Sequence, residues 1–85
     1  MKVQVRVRYF AALREALGSG ETVELAADAT VGDLRDTLLA LGGRHAELLT
    51  RGRAVRVALN QQLCDEHAAL GEDAEVAFFP PVTGG

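Results

Sequence analysis

Thr30 to Leu41 reads TVGDLRDTLLAL, and its periodicity sets the rest of the chain in order. Val31, Leu34, Leu38 and Leu41 recur at i, i+3, i+7 and i+10, so one helical face is apolar and must be buried. Thr30 stands where an N-cap belongs, and Asp33 follows three residues later in a capping-box arrangement. Gly42-Gly43 is expected to end the helix. A single helix with one apolar stripe needs a sheet to lie on, and the flanking sequence supplies strands on both sides.

Upstream, KVQVRVRYF alternates from Lys2 onward. Val3, Val5, Val7 and Tyr9 point one way and Lys2, Gln4, Arg6 and Arg8 the other, the pattern of a strand with one buried face. AALREALG places Ala12, Leu13, Ala16 and Leu17 at helical spacing, with Gly18 as the terminating residue. ETVEL alternates again and turns Val23 and Leu25 inward. Downstream, RHAELL adds a further helical turn. AVRVALN is a strand with Val55, Val57 and Leu59 inward and Arg56 outward; after a turn at Asn60-Gln61, QQLC forms a short strand. AEVAFF is the last strand, with Val76 and Phe78 on one face and Ala77 and Phe79 on the other. Pro80-Pro81 ends it, because neither proline donates to a sheet ladder. The expected architecture is α+β: a mixed four- to five-stranded sheet packed on one main helix, the β-grasp or ubiquitin-like arrangement.

The 85 residues amount to one domain, with residues 1–81 as the folded body and 82–85 as an extended tail. With 48% apolar and 25% charged residues the chain can fill a core without staples. A net charge of −3 argues against a general nucleic-acid binder. No apolar run approaches the ~18 residues of a membrane span, and the charged alternation at the start is unlike a signal peptide. One cysteine rules out an internal disulfide framework, and a cytoplasmic setting is expected.

Self-contained catalysis finds little support in the residues. His45 and His67 lie far apart, without ligand spacing to other donors, and read as surface histidines. Cys64 reads as a small hydrophobe, and Asp65-Glu66 and Glu72-Asp73 as solvated turns. No metal site is expected. Attention falls on FFPPVTGG, Phe78 to Gly85. Two prolines stiffen the segment after the last strand, and the six residues from Pro80 can project about 20 Å. The final two residues carry no side chains, so the backbone fits a channel too narrow for a Cβ. Val82 to Gly85 are expected to add little stability and to order only inside a partner.

The ending EVAFFPPVTGG, together with RYFAALREALG and ALNQQL, closely resembles the small, sulfur-carrying subunit of molybdopterin synthase, and the resemblance covers nearly the whole chain. Where that family often has Gly before the acidic pair that opens the last strand, this chain reads LGEDAEV, with Gly71 earlier and Asp73 at the turn. The resemblance implies that Gly85 is the functional end. Its carboxylate would be adenylated with ATP by a separate E1-like enzyme and converted to a thiocarboxylate by a sulfur donor. The large synthase subunit, in a heterotetramer, would then take the sulfur to a cyclic pyranopterin precursor of the molybdenum cofactor. No tightly bound cofactor is implied, and the chain would not be an enzyme by itself. Gly84, Thr83, Val82, Pro81 and Pro80 would thread into the partner. Two alternatives stay open: a carrier for thiamine, cysteine or tRNA sulfur chemistry, and a ubiquitin-like interaction module without tail chemistry.

The sheet face opposite the helix is a candidate docking surface. Phe79 and Ala77 turn away from the core, and Arg6, Arg8 and Arg56 share their face if the strands are neighbours.

Overall fold

The computed structural model describes residues 1–80; the expectations for Pro81, Val82, Thr83, Gly84 and Gly85 lie outside the described residues. The elements run β1 (Lys2–Tyr9), α1 (Ala11–Leu17), β2 (Gly20–Ala26), α2 (Val31–Leu39), α3 (Gly43–Leu49), β3 (Arg56–Leu59), β4 (Gln62–Cys64) and β5 (Glu75–Phe79). The five strands form one sheet in the order β2-β1-β5-β3-β4. β5 runs parallel to β1 and antiparallel to β3, so the last strand of the chain is central. This is the β-grasp: a mixed sheet closed around α2, with α1 and α3 at one end.

The alternation of β1 is realised residue by residue. Val3, Val5, Val7 and Tyr9 are buried, while Lys2, Gln4, Arg6 and Arg8 are exposed. Val31, Leu34 and Leu38 of α2 are fully enclosed, facing Val5, Val7, Val76 and Phe78 of the central strands. Each such side chain contributes about 1.5–3 kcal/mol by leaving water. Thr30 caps α2 as expected. Its hydroxyl accepts from the Asp33 amide at 3.2 Å, and the Asp33 carboxylate accepts from the Thr30 amide at 2.9 Å. The next two α2 amides, Val31 and Gly32, donate to Ala68 and Glu66 carbonyls at 3.0 and 2.9 Å. The β4–β5 connection is thereby strapped to the helix start.

Leu41 departs from the expected stripe: it is 59% exposed. α2 stops at Leu39, and tight turns from Leu41 to Leu38 and Gly42 to Leu39 close it. The chain then reverses through Gly42 and Gly43, with φ of 72° and 55°, which turns Leu41 into solvent. The glycines therefore begin α3 as much as they end α2. Asn60 and Gln61 hold left-handed φ of 49° and 71°, the two-residue turn that suits a tight hairpin between β3 and β4. Asp73 likewise takes a left-handed φ of 57° at the turn before β5.

Two polar clusters escaped the sequence reading. Arg35 is buried, at 6% exposure. Its Nε and Nη2 donate to the Leu49 and Thr50 carbonyls at 2.6 and 2.9 Å, and its Nη1 reaches Glu66 at 3.0 Å. The guanidinium thus satisfies the carbonyls at the end of α3, which have no partner within the helix. Arg51 extends the network to Asp36 and Glu66 at 2.6 and 2.7 Å, so Glu66 is no mere solvated turn residue. In the second cluster, Tyr9 Oη donates to Glu21 Oε2 at 2.7 Å, and His45 Nε2 meets the same oxygen at 2.7 Å. His45 is half-buried with its ring edge-on to Tyr9, which corrects its reading as a surface residue. His67, by contrast, is exposed. Burial pushes the Glu21 carboxyl up, but the hydrogen bonds from Tyr9 and His45 outweigh it and hold the group below the usual glutamate value. Burial and the same Glu21 contact raise the Tyr9 phenol, which stays protonated.

Two outcomes test this packing. Leu38→Ala should cost roughly 2–5 kcal/mol and Thr30→Ala about 1 kcal/mol in denaturant unfolding; equal small losses would contradict the register of α2. A lowered native pKa makes the Glu21 contribution fully present above its unfolded-state value, and it is lost as pH falls through the native one. The stability gap between the parent and Glu21→Gln should therefore be widest near neutral pH and shrink on acidification. A pH-independent gap in urea midpoints would refute the assignment.

Candidate functional site

The site has two parts, the end of β5 and the sheet face away from α2. β5 is paired on both sides through Phe78, with Tyr9 and Val57, and on the β3 side through its last residue, Phe79, with Arg56. The Phe10 amide adds a bond to the Phe78 carbonyl at 3.2 Å. Phe78 is completely buried and stacks on Tyr9, with ring centroids 6.4 Å apart. Pro80 follows immediately and is half-buried. The root of the C-terminal segment is therefore fixed to the two central pairings of the sheet.

The outer face follows from strand register. Arg8 lies beside Ala77, Ala77 beside Ala58, and Ala58 beside Leu63. In neighbouring rows Arg6 lies beside Glu75 and Phe79 beside Arg56. All five residues named as candidates from sequence, Phe79, Ala77, Arg6, Arg8 and Arg56, thus share one face, the three arginines exposed at its margins. Phe79 and Ala77 are half-buried, less open than an isolated surface aromatic. The open apolar members are two that sequence reasoning passed over: Phe10, 39% exposed, and Leu63, 66% exposed. Both were legible. Phe10 continues the outward parity of Arg6 and Arg8, and Leu63 is set opposite Ala58 by the two-residue hairpin.

The electrostatics of the face oppose those of the whole chain. Arg8 is 3.9 Å from Glu75, a long and solvated pair of little energetic weight. Its guanidinium also lies 5.4 Å above the Phe10 ring, a cation–π contact. Arg6 reaches only the Asp73 carbonyl, at 3.5 Å. Arg56 makes no ion pair among the described residues. Three arginines against one glutamate leave a basic rim around Phe10, Ala77, Phe79 and Leu63, on a chain whose net charge is −3. Such a surface complements an apolar patch bordered by carboxylates.

Cys64 is half-buried; burial, and then Asp65, push its thiol above the usual cysteine value, away from the reactive thiolate. Among the described residues no three His, Cys, Asp or Glu side chains gather as metal ligands, and no helix is long and apolar enough to cross a membrane.

Known proteins resemble this chain in sequence and in shape. The molybdopterin synthase sulfur carrier subunit of Escherichia coli (strain K12) is 44% identical over 82 residues, covering 95% of this chain and 99% of that one. SAMP1 from Haloferax volcanii superposes with a TM-score of 0.77 at 32% identity, covering 96% of this chain and 99% of its own. Subunit 1 and subunit 2 of the molybdopterin-converting factor from Helicobacter pylori have been solved as a protein–protein complex. A chain of that complex matches with a TM-score of 0.65 at 26% identity, over 98% of this chain and 100% of that one. The ThiS family model matches residues 7–85, from the middle of β1 through the last glycine, and the chain belongs to the ThiS family.

Proposed function

We propose that this chain is the sulfur-carrying subunit of a molybdopterin synthase and that Gly85 is its reacting end. The observation that carries this reading is the full-length likeness to the Escherichia coli sulfur carrier subunit. The family match through the terminal Gly-Gly and the anchoring of β5 up to Phe79 support it. The Gly85 carboxylate attacks the α-phosphorus of ATP on an E1-like activating enzyme, forming an acyl-adenylate and releasing pyrophosphate. The activation has a plain cause: a carboxylate oxygen is a poor leaving group until it belongs to a mixed anhydride with phosphate, from which it leaves as AMP. A donor delivering sulfur at the sulfide level then displaces AMP and leaves a thiocarboxylate. In the large subunit that sulfur passes to the cyclic pyranopterin precursor, and the carrier returns as its carboxylate. Two such transfers build the dithiolene that holds molybdenum. The carrier works in the cytoplasm, as half of a heterotetramer with the large subunit.

In this reading the body of the carrier supplies position. The reacting carbonyl must meet a fixed point, where misplacement by about 1 Å can cost ~100-fold in rate. Residues 80–84 then set a length, and Gly84 keeps the thread narrow. The basic-rimmed outer face, with Phe79, Ala77, Arg6, Arg8 and Arg56 joined by Phe10 and Leu63, docks the partners that receive this end.

Mass analysis of the purified carrier tests the chemistry. A subpopulation with one terminal oxygen replaced by sulfur is expected after incubation with the activating enzyme, ATP and a sulfur source. Deleting Gly85 shifts the carboxylate by roughly 3.3 Å. That variant and Gly84→Val should melt like the parent yet fail to gain sulfur. Full sulfur transfer by the chain lacking Gly85 would end the proposal.

The docking face has its own test. Leu63→Asp should weaken binding of the large subunit by about tenfold or more while changing stability by no more than ~0.5 kcal/mol. Phe79→Asp should weaken binding too, but with a measurable loss of stability, because Phe79 is half-buried. Unchanged affinity in both would remove this face from the interface.

A further inference from the structure

A groove of about 360 Å³ opens on the helix side of the sheet, at the end where β5 finishes. Leu13 of α1, Leu48 of α3, Val55 and Pro80 form its apolar wall, and the exposed residues Ala54 and Arg53 also line it. Register explains the location. Phe79 lies beside Arg56, so Val55 and Pro80 are the next neighbours outward along the two strands. Alternation then separates them by side: Phe79 and Arg56 belong to the outer face, whereas Pro80 shares the side of Phe78 and of the helices. Pro80 is a ridge with the basic-rimmed outer patch on one flank and this groove on the other.

We infer that the groove is a second docking surface for the protein that takes up the C-terminal segment, and that it receives an apolar side chain of that protein flanked by a carboxylate. The inference rests on the carrier reading. Five residues follow Pro80, a reach of roughly 17 Å when extended. A protein that encloses such a segment to its end closes around residue 80 and so covers both flanks of the ridge. The apolar wall selects an apolar side chain. Charge complementarity selects the carboxylate. Arg51, two residues earlier, is held by Asp36 and Glu66, whereas the Arg53 side chain makes no ion pair among the described residues. The backbone of Arg53 is fixed by a bond from its amide to the Thr50 carbonyl at 3.0 Å, and the residue lines the groove. The two surfaces therefore grip one partner from both sides of the thread.

Titration of the intact carrier with the large synthase subunit from the same organism, followed by calorimetry at two salt concentrations, tests this. Ala54→Trp puts bulk into the groove, and Arg53→Glu reverses the charge beside it; both positions are exposed, so thermal midpoints should match the parent. Each variant should bind at least tenfold more weakly, and Arg53→Glu should also lose part of the salt dependence seen with the parent. Parental affinity for both variants, alongside weakened binding by Leu63→Asp, would overturn the groove inference and leave the carrier reading standing. Tighter binding by either variant would also overturn it, because the groove would then hold the carrier's own C-terminal segment in competition with the partner. Absence of any binding by the parent would overturn both readings together.

Discussion

The pairing of β5 between β1 and β3 is the constraint on which the molecule depends. A terminal strand at a sheet edge would be held along one side only and would fray toward its end. Here the parallel ladder to β1 and the antiparallel ladder to β3 both persist to the last two residues of the strand. The buried Phe78 ring adds packing where the hydrogen bonds end. With β2 antiparallel to β1 and β3 antiparallel to β5, β2 and β3 run the same way on either side of the central β1–β5 pair; parallel strands need a crossover, and α2 makes it over the buried face. The apolar stripe of α2 and the central position of β5 are thus two aspects of one arrangement.

Most of this was legible because the dominant forces leave periodic traces. The parity of Val3, Val5, Val7 and Tyr9 matches the observed burial of β1, and Thr30 with Asp33 marks the start of α2. The failures share a cause. Leu41 obeyed the helical period but lay one residue into a reversal dictated by Gly42 and Gly43, and local backbone geometry overruled the pattern. Arg35 stands beside Leu34 in the helix, where a charged residue is expected to reach solvent. Its burial follows from carbonyls at the end of α3, fourteen residues away in sequence. Glu21 and His45 escaped for the same reason, since their partnership exists only once β2 and α3 meet. Pattern reveals which face is buried; it does not reveal which polar groups the fold will bring together inside.

The candidate site divides along the same line. Arg6, Arg8, Arg56, Ala77 and Phe79 could be assigned to one face by alternation, given adjacent strands, and the sheet order makes the strands adjacent. Phe10 and Leu63 needed continuation of parity past a strand end and across a hairpin. The groove beside Pro80 was beyond reach, because it is assembled from α1, α3, the segment before β3 and the end of β5. The role proposed for the last glycine, by contrast, rests on sequence alone, on the motif from Phe78 to Gly85.

Arg35 has a consequence for the hierarchy of opening motions. A seven-residue helix such as α3 is too short to persist alone in water. Its final carbonyls are held by one guanidinium that also grips Glu66 of the β4–β5 connection. α3, the segment after it and that connection therefore form a cooperative unit that opens together, distinct from the β1–β5 ladder, which opens only with the whole domain. In amide hydrogen exchange the α3 amides would form a fast-exchanging group with a common protection level, while the centre of the sheet exchanges at the global unfolding limit. Leu48 and Val55 of the groove wall belong to the first unit, whereas Pro80 directly follows the second, so the width of the groove is tied to a sub-global fluctuation that leaves the root of the C-terminal segment in place.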